Sequence, residues 1–137
     1  MSQSLPRQIL QRARDIIADC NRWTRGAMAY SKHGDRCDPW EQDAVKFCSL
    51  GAIGRASLEC GITGHASPLV LAAERSLADT INPHWLSEYR ARNPTVAEAL
   101  QSDVEDLAVH DVIMSFNDAS RQIDVLAAFD KALERVS

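Results

Sequence analysis

Four groups of residues in this chain carry types that could do chemistry. The first is Cys48, in the run Phe47-Cys48-Ser49-Leu50-Gly51-Ala52. A thiol becomes a nucleophile when a helix N-terminus or a nearby cation lowers its pKa, and it then needs a base. His33, His65, His84 and His110 are the histidines, and the sequence assigns none of them to that task. As a catalytic residue Cys48 would attack, one of these histidines would take the proton, and Asn117 or Asp118 would orient it. Against this, the periodicity sets Cys48 about two turns inside a helix, beyond the reach of a dipole that fades within the first turn. A free cysteine among apolar neighbours is most often a core residue. The second group is Trp23-Thr24-Arg25-Gly26-Ala27, where Trp23 and Arg25 could frame a pocket by stacking and charge. Its plainer reading is Gly26 as a left-handed helix cap with Trp23 packed over the core edge. The third, Phe116-Asn117-Asp118, offers an amide and a carboxylate to a cleft beside Trp23, or else caps a turn. The fourth is the aromatic pair Tyr30 and Trp40 around the segment from Ala27 to Asp35, a loop surface of the kind that carries recognition.

Metal and cofactor chemistry find little here. Cys20, Cys37, Cys48 and Cys60 are separated by 16, 10 and 11 residues, so no C-x-x-C pair exists. His33 and Cys37 could sit four apart in a loop, but a second ligand pair is missing. No Gly-rich phosphate loop or dinucleotide fingerprint is present, and no cofactor is expected.

Charge is unevenly spread along the 137 residues. Residues 1–36 hold seven Lys/Arg against three Asp/Glu, while residues 95–137 hold three against nine. Arg7, Arg14 and Arg25 could thus meet a phosphate-bearing partner. With a net charge of −4 overall, the better reading is that the basic and acidic parts face each other or water, which disfavours nucleic acid. Hydrophobic residues at 45% and charged residues at 25% exclude wholesale disorder. The longest strictly apolar run, Leu69 to Ala73, is far short of the ~20 residues of a membrane span. No stretch of signal-peptide type opens the chain, so a cytoplasmic location is expected.

These residues need elements to hold them, and the spacing is mainly helical. Ile9, Leu10, Ala13, Ile16, Ile17 and Cys20 repeat with a helical period after a Ser4 cap and Pro6. Asp38-Pro39-Trp40-Glu41 has the form of a capping box, predicting that a central buried helix follows directly through Ala44, Val45, Phe47, Cys48, Leu50, Ala52, Ile53 and Ala56. Gly51 and Gly54 in that helix leave room for a close neighbour. Ser67-Pro68 and Asn82-Pro83 open two more helices, and Thr95-Val96-Ala97-Glu98 opens a long one. The apolar phase shifts near Val109, predicting a kink there, and Asn117 to Ser120 reads as a turn. A last helix carries Ile123, Leu126, Phe129, Leu133 and Val136. The expectation is a mainly α fold: a compact bundle of about five to six helices with a short extended segment or small hairpin near residues 27–36. Residues 1–137 form a single domain on this reading.

Taken together, the segments Trp23 to Ala27, Ala44 to Ala52 and Phe116 to Asp118 resemble an uncharacterised family of small bacterial and phage helical proteins. That family is marked by W-x-x-G-A, A-V-x-F/W-C-x-x-G-A and F/W-N-D motifs. The resemblance implies a shared fold and raises Trp23, Gly26, Cys48, Gly51, Asn117 and Asp118 as positions to test. It carries over no reaction, and residues 61–94 match none of its motifs.

The functional expectation is a helical binding protein for a protein or small-molecule partner, with Trp23, Arg25, Tyr30, Trp40, Asn117 and Asp118 as binding residues. The competing expectation is a cysteine-dependent hydrolase or transferase built on Cys48. A homodimer sharing Ile123, Leu126 and Phe129 is left open, and no membrane partner is expected.

Overall fold

The structure, a computed structural model, describes residues 3–62, 67–93 and 101–137, with side chains from residue 105 onward in the last stretch. Among the described residues the order is α1 (Leu5–Ala18), β1 (Ala29–Ser31), β2 (Arg36–Cys37), β3 (Ala44–Phe47), α2 (Ser49–Glu59), α3 (Pro68–Ile81), α4 (Trp85–Arg92), α5 (Gln101–Ala119) and α6 (Gln122–Arg135). The fold is mainly α, as the periodicity predicts. The capping box at residues 95–98 and His65 lie outside the described residues.

Helix α1 begins where Ser4 accepts a hydrogen bond from the Arg7 amide, and Pro6 sits in its first turn. Its buried face is Ile9, Leu10, Ala13, Ile16 and Ile17, which packs against α2, α3 and α6. Helix α3 touches α1, α2, α5 and α6, and α2 has the largest share of buried residues, as its apolar run predicts. The charge asymmetry resolves in part into pairs across these helices: Arg12 with Glu59 on α2 and Arg14 with Asp130 on α6.

The expected hairpin is present, with a third strand added. Strands pair antiparallel in the order β2-β1-β3, and Gly34 takes a positive φ at the β1–β2 turn. The stretch after Asp38 is therefore not the start of a helix. Turns carry the chain from Asp38 to Ala44, and Ala44 and Phe47 then bury as strand residues against β1. The helix starts only at Ser49. A β-branched residue and an aromatic, Val45 and Phe47, suit a strand as well as a helix, and pairing with Ala29 and Tyr30 decides the outcome.

Helix α5 runs without a break over Gln101–Ala119, which corrects the expected kink near Val109 and the expected turn at Asn117. Its buried stripe is Glu105, Val109, Ile113 and Asn117, a strict four-residue repeat. Both ends of the stripe are polar, so hydrophobicity alone hides its continuity. Glu105 is tolerated inside because Arg75 of α3 and Arg90 of α4 bind it at 2.8 Å and 3.0 Å. Burial pushes the Glu105 carboxyl up, but those two hydrogen bonds outweigh it and hold it below the usual range. Helix α4 is more lightly held: only Trp85 is buried, and it packs chiefly on α5. Phe129 of α6 is fully buried in the chain's own core, whereas Ile123 is exposed.

Candidate functional site

The three motif segments meet in one hydrogen-bonded knot centred on Asn117. The Asn117 side chain is wholly buried at the C-terminal end of α5. Its Oδ1 accepts from Trp23 Nε1 at 2.9 Å, from the Ser49 amide at 3.0 Å and from Ser49 Oγ at 2.7 Å. Its Nδ2 donates to the Thr24 carbonyl at 3.0 Å and to Asp118 Oδ1 at 3.3 Å. Asp118 in turn accepts from the Gly26 amide at 3.0 Å, and Gly26 has the positive φ that glycine permits. The Arg25 guanidinium lies 4.9 Å from the Trp23 ring centroid and donates to the Ser120 carbonyl. Every hydrogen-bonding site of the Asn117 amide is thereby occupied.

Cys48 borders this knot as the N-cap of α2, where its Sγ accepts from the Gly51 amide at 3.3 Å. The placement differs from the one expected inside a longer helix, and a helix N-terminus would favour a thiolate. Burial nevertheless dominates: it pushes the Cys48 thiol up, with the Gly51 amide only partly opposing it. No histidine among the described residues is hydrogen-bonded to the sulfur. Gly51 is the tightest point nearby, since a Cβ there would lie 1.8 Å from the Met28 carbonyl oxygen. That same carbonyl accepts from the Cys48 amide at 3.1 Å.

Tyr30 and Trp40 lie at the edges. The Tyr30 hydroxyl is 3.8 Å from where a Gly26 Cβ would stand, beside a shallow groove of about 400 Å³ that also includes Lys32 and Lys46. Trp40 is 40% exposed in the loop that Arg55 ties to α2 through the Pro39 and Glu41 carbonyls. Among the described residues no group of three or more His, Cys, Asp or Glu could hold a metal ion.

A different place offers room. A cleft of about 720 Å³ opens between α4, α5 and the start of β1. Met28 and Leu50 form one wall, Trp85, Tyr89, Arg92 and Asn93 a second, and α5 the third, from Leu107 to Met114. Its size falls in the range of small-molecule sites, roughly 300–1,000 Å³. His110 lines it with Nε2 3.2 Å from the buried Glu74 carboxylate, whose hydrogen bond raises the imidazole pKa although burial lowers it. The Tyr89 hydroxyl is buried and has no hydrogen-bond partner among the described residues. Of these cleft residues the sequence marked only His110 for function, as one of four histidines with no assigned task. Tyr89 falls one helical turn after Trp85, a spacing that places two aromatics on one face, and that was the only available signal.

Fold and site together define a mainly helical protein with a small three-stranded sheet, a saturated polar knot and an open cleft. The chain belongs to DUF6197, a family of unknown function whose model matches residues 1–135. No curated protein and no solved structure matches it. No helix among the described residues is long and apolar enough to cross a membrane.

Proposed function

We propose that this protein is a binding module that takes a small molecule in the cleft between α4 and α5. The carrying observation is the cleft itself, about 720 Å³ in volume, with hydrogen-bonding side chains set among apolar walls. The Trp23, Arg25, Asn117 and Asp118 set then acts as scaffold: its polar groups are spent on one another, and it fixes the Met28 and Leu50 wall through Cys48, Ser49 and Gly51. On this reading the three motifs mark the part of the fold the family shares. Four free cysteines fit a reducing, cytoplasmic setting.

Methionine methyl groups give a direct test. The chain has three methionines, and two of them, Met28 and Met114, line the cleft. Methyl-labelled protein titrated with a fragment library should show shifts at Met28 and Met114 that an Ala108→Trp filling of the cleft abolishes. Fragments that bind while leaving both methyls unmoved would place the site elsewhere.

The cysteine-enzyme reading draws nothing from this geometry. Cys48 should resist alkylation in the native protein and react only as it unfolds. Fast native labelling would restore it. The nucleic-acid reading is equally unsupported, because Arg7, Arg14 and Arg25 are engaged with the carbonyls of Leu133 and Val136, with Asp130 and with the Ser120 carbonyl.

A further inference from the structure

We infer that the ligand of the α4–α5 cleft is an uncharged molecule with an apolar body and one hydrogen-bonding oxygen, met by the Tyr89 hydroxyl. This rests on the reading of the cleft as the binding site. The first argument is charge balance. Arg92 and Asp111 both line the cleft and carry opposite charges, and both are exposed, so water already solvates them at the rim. His110 is matched by Glu74, which is 3% exposed, and Asp106 and Asp111 of its own helix add further negative charge around it. An ionic ligand would therefore give up its hydration and find no unmatched opposite charge inside.

The second argument is composition of the inner walls. Leu50 and Met28 face Val112 and Met114 across the cleft. These favour an apolar body, and methionine adapts its shape to an irregular one.

The third is the orphaned hydroxyl. Buried polar groups are almost always paired, so a Tyr89 hydroxyl without a partner among the described residues marks a donor still to be satisfied. It is closed off from water, so a ligand reaches it only when α4 shifts outward. Helix α4 is the wall best able to do so, since Trp85 is its one buried residue. Tyr89 has an unspent hydrogen to donate, and a ligand hydroxyl or carbonyl oxygen can accept it.

A matched series of probes tests this on the full chain. Benzyl alcohol, toluene, benzoate and benzylammonium share one ring and differ in charge and hydrogen bonding. Their affinities are read from the Met28 and Met114 methyl shifts. Benzyl alcohol should bind about tenfold more tightly than either ion, and Tyr89→Phe should remove about tenfold of its affinity while leaving toluene unchanged. Tighter binding of benzoate or benzylammonium would overturn the ligand class and leave the cleft as the site. Equal binding of benzyl alcohol by Tyr89→Phe would overturn the role of the hydroxyl. If no probe moves either methyl, the cleft reading fails together with the ligand class.

Discussion

The knot around Asn117 and the cleft beside Tyr89 are both polar places inside a helical protein, yet they are built in opposite ways. In the knot one amide takes five hydrogen bonds, from or to Trp23, Thr24, Ser49 and Asp118, and nothing is left over. In the cleft a buried hydroxyl has no partner among the described residues, and the exposed charges Arg92 and Asp111 stand at the rim. A saturated buried network fixes structure, because breaking any bond strands a desolvated group. An unsatisfied one beside open volume leaves free energy that a ligand can collect. The residue types that look most chemical, an asparagine and a tryptophan with a cysteine at their border, belong to the first kind.

Substitutions can break this contrast or sharpen it. The largest effect is expected at Gly51→Ala, where the new methyl meets the Met28 backbone at 1.8 Å and cannot be accommodated by a side-chain shift. The loss should exceed about 4 kcal/mol in urea denaturation or prevent folding outright. Asn117→Leu should come next at about 3 kcal/mol, since it strands the Trp23 indole, the Ser49 amide and hydroxyl and the Thr24 carbonyl. A cost under about 1 kcal/mol would mean that the knot is not what holds α5 to α2.

A smaller effect is expected from pH. Glu74 raises the His110 pKa in the folded chain, so the pair stabilises the fold fully below the unfolded value of about 6.5 and loses that contribution as pH rises through the folded pKa. Thermal midpoints should fall over that window in the parent chain and stay flatter in His110→Gln. The smallest stability effect belongs to Tyr89→Phe, within about 0.5 kcal/mol of the parent in the same urea assay, because no hydrogen bond among the described residues is lost. A penalty as large as that of Asn117→Leu would erase the distinction between the two regions.

Parts of this were legible in the sequence for local reasons. Helix α1 announces itself through Ile9, Ala13 and Ile17 because its whole buried face is apolar. Gly51 was readable as a close approach, since glycine inside a helix needs a reason, although its neighbour Met28 was not. Strand β3 stayed hidden because Asp38-Pro39-Trp40-Glu41 mimics a helix start and the pairing that overrides it reaches 13 to 18 positions back in the chain, Ala44 to Ser31 and Phe47 to Ala29. The continuous stripe of α5 was masked by polar ends, Glu105 and Asn117, whose burial depends on Arg75, Arg90, Trp23 and Ser49 from elsewhere. The cleft could not be read at all, because Met28, Leu50, Tyr89 and His110 lie on four separate segments that only the tertiary fold brings to one surface.

Met28 gives the cleft an unequal pair of jaws. Its carbonyl is pinned by the Cys48 amide and backed against Gly51, so the jaw that carries Met28 and Leu50 is clamped to the core. The opposing jaw, α4, hangs from Trp85 and the Arg90–Glu105 pair. Any change in aperture must come from that one side. On the proposed binding role, the size of molecule admitted is set by how far an eight-residue helix can swing, while the fixed jaw dictates the shape it must match.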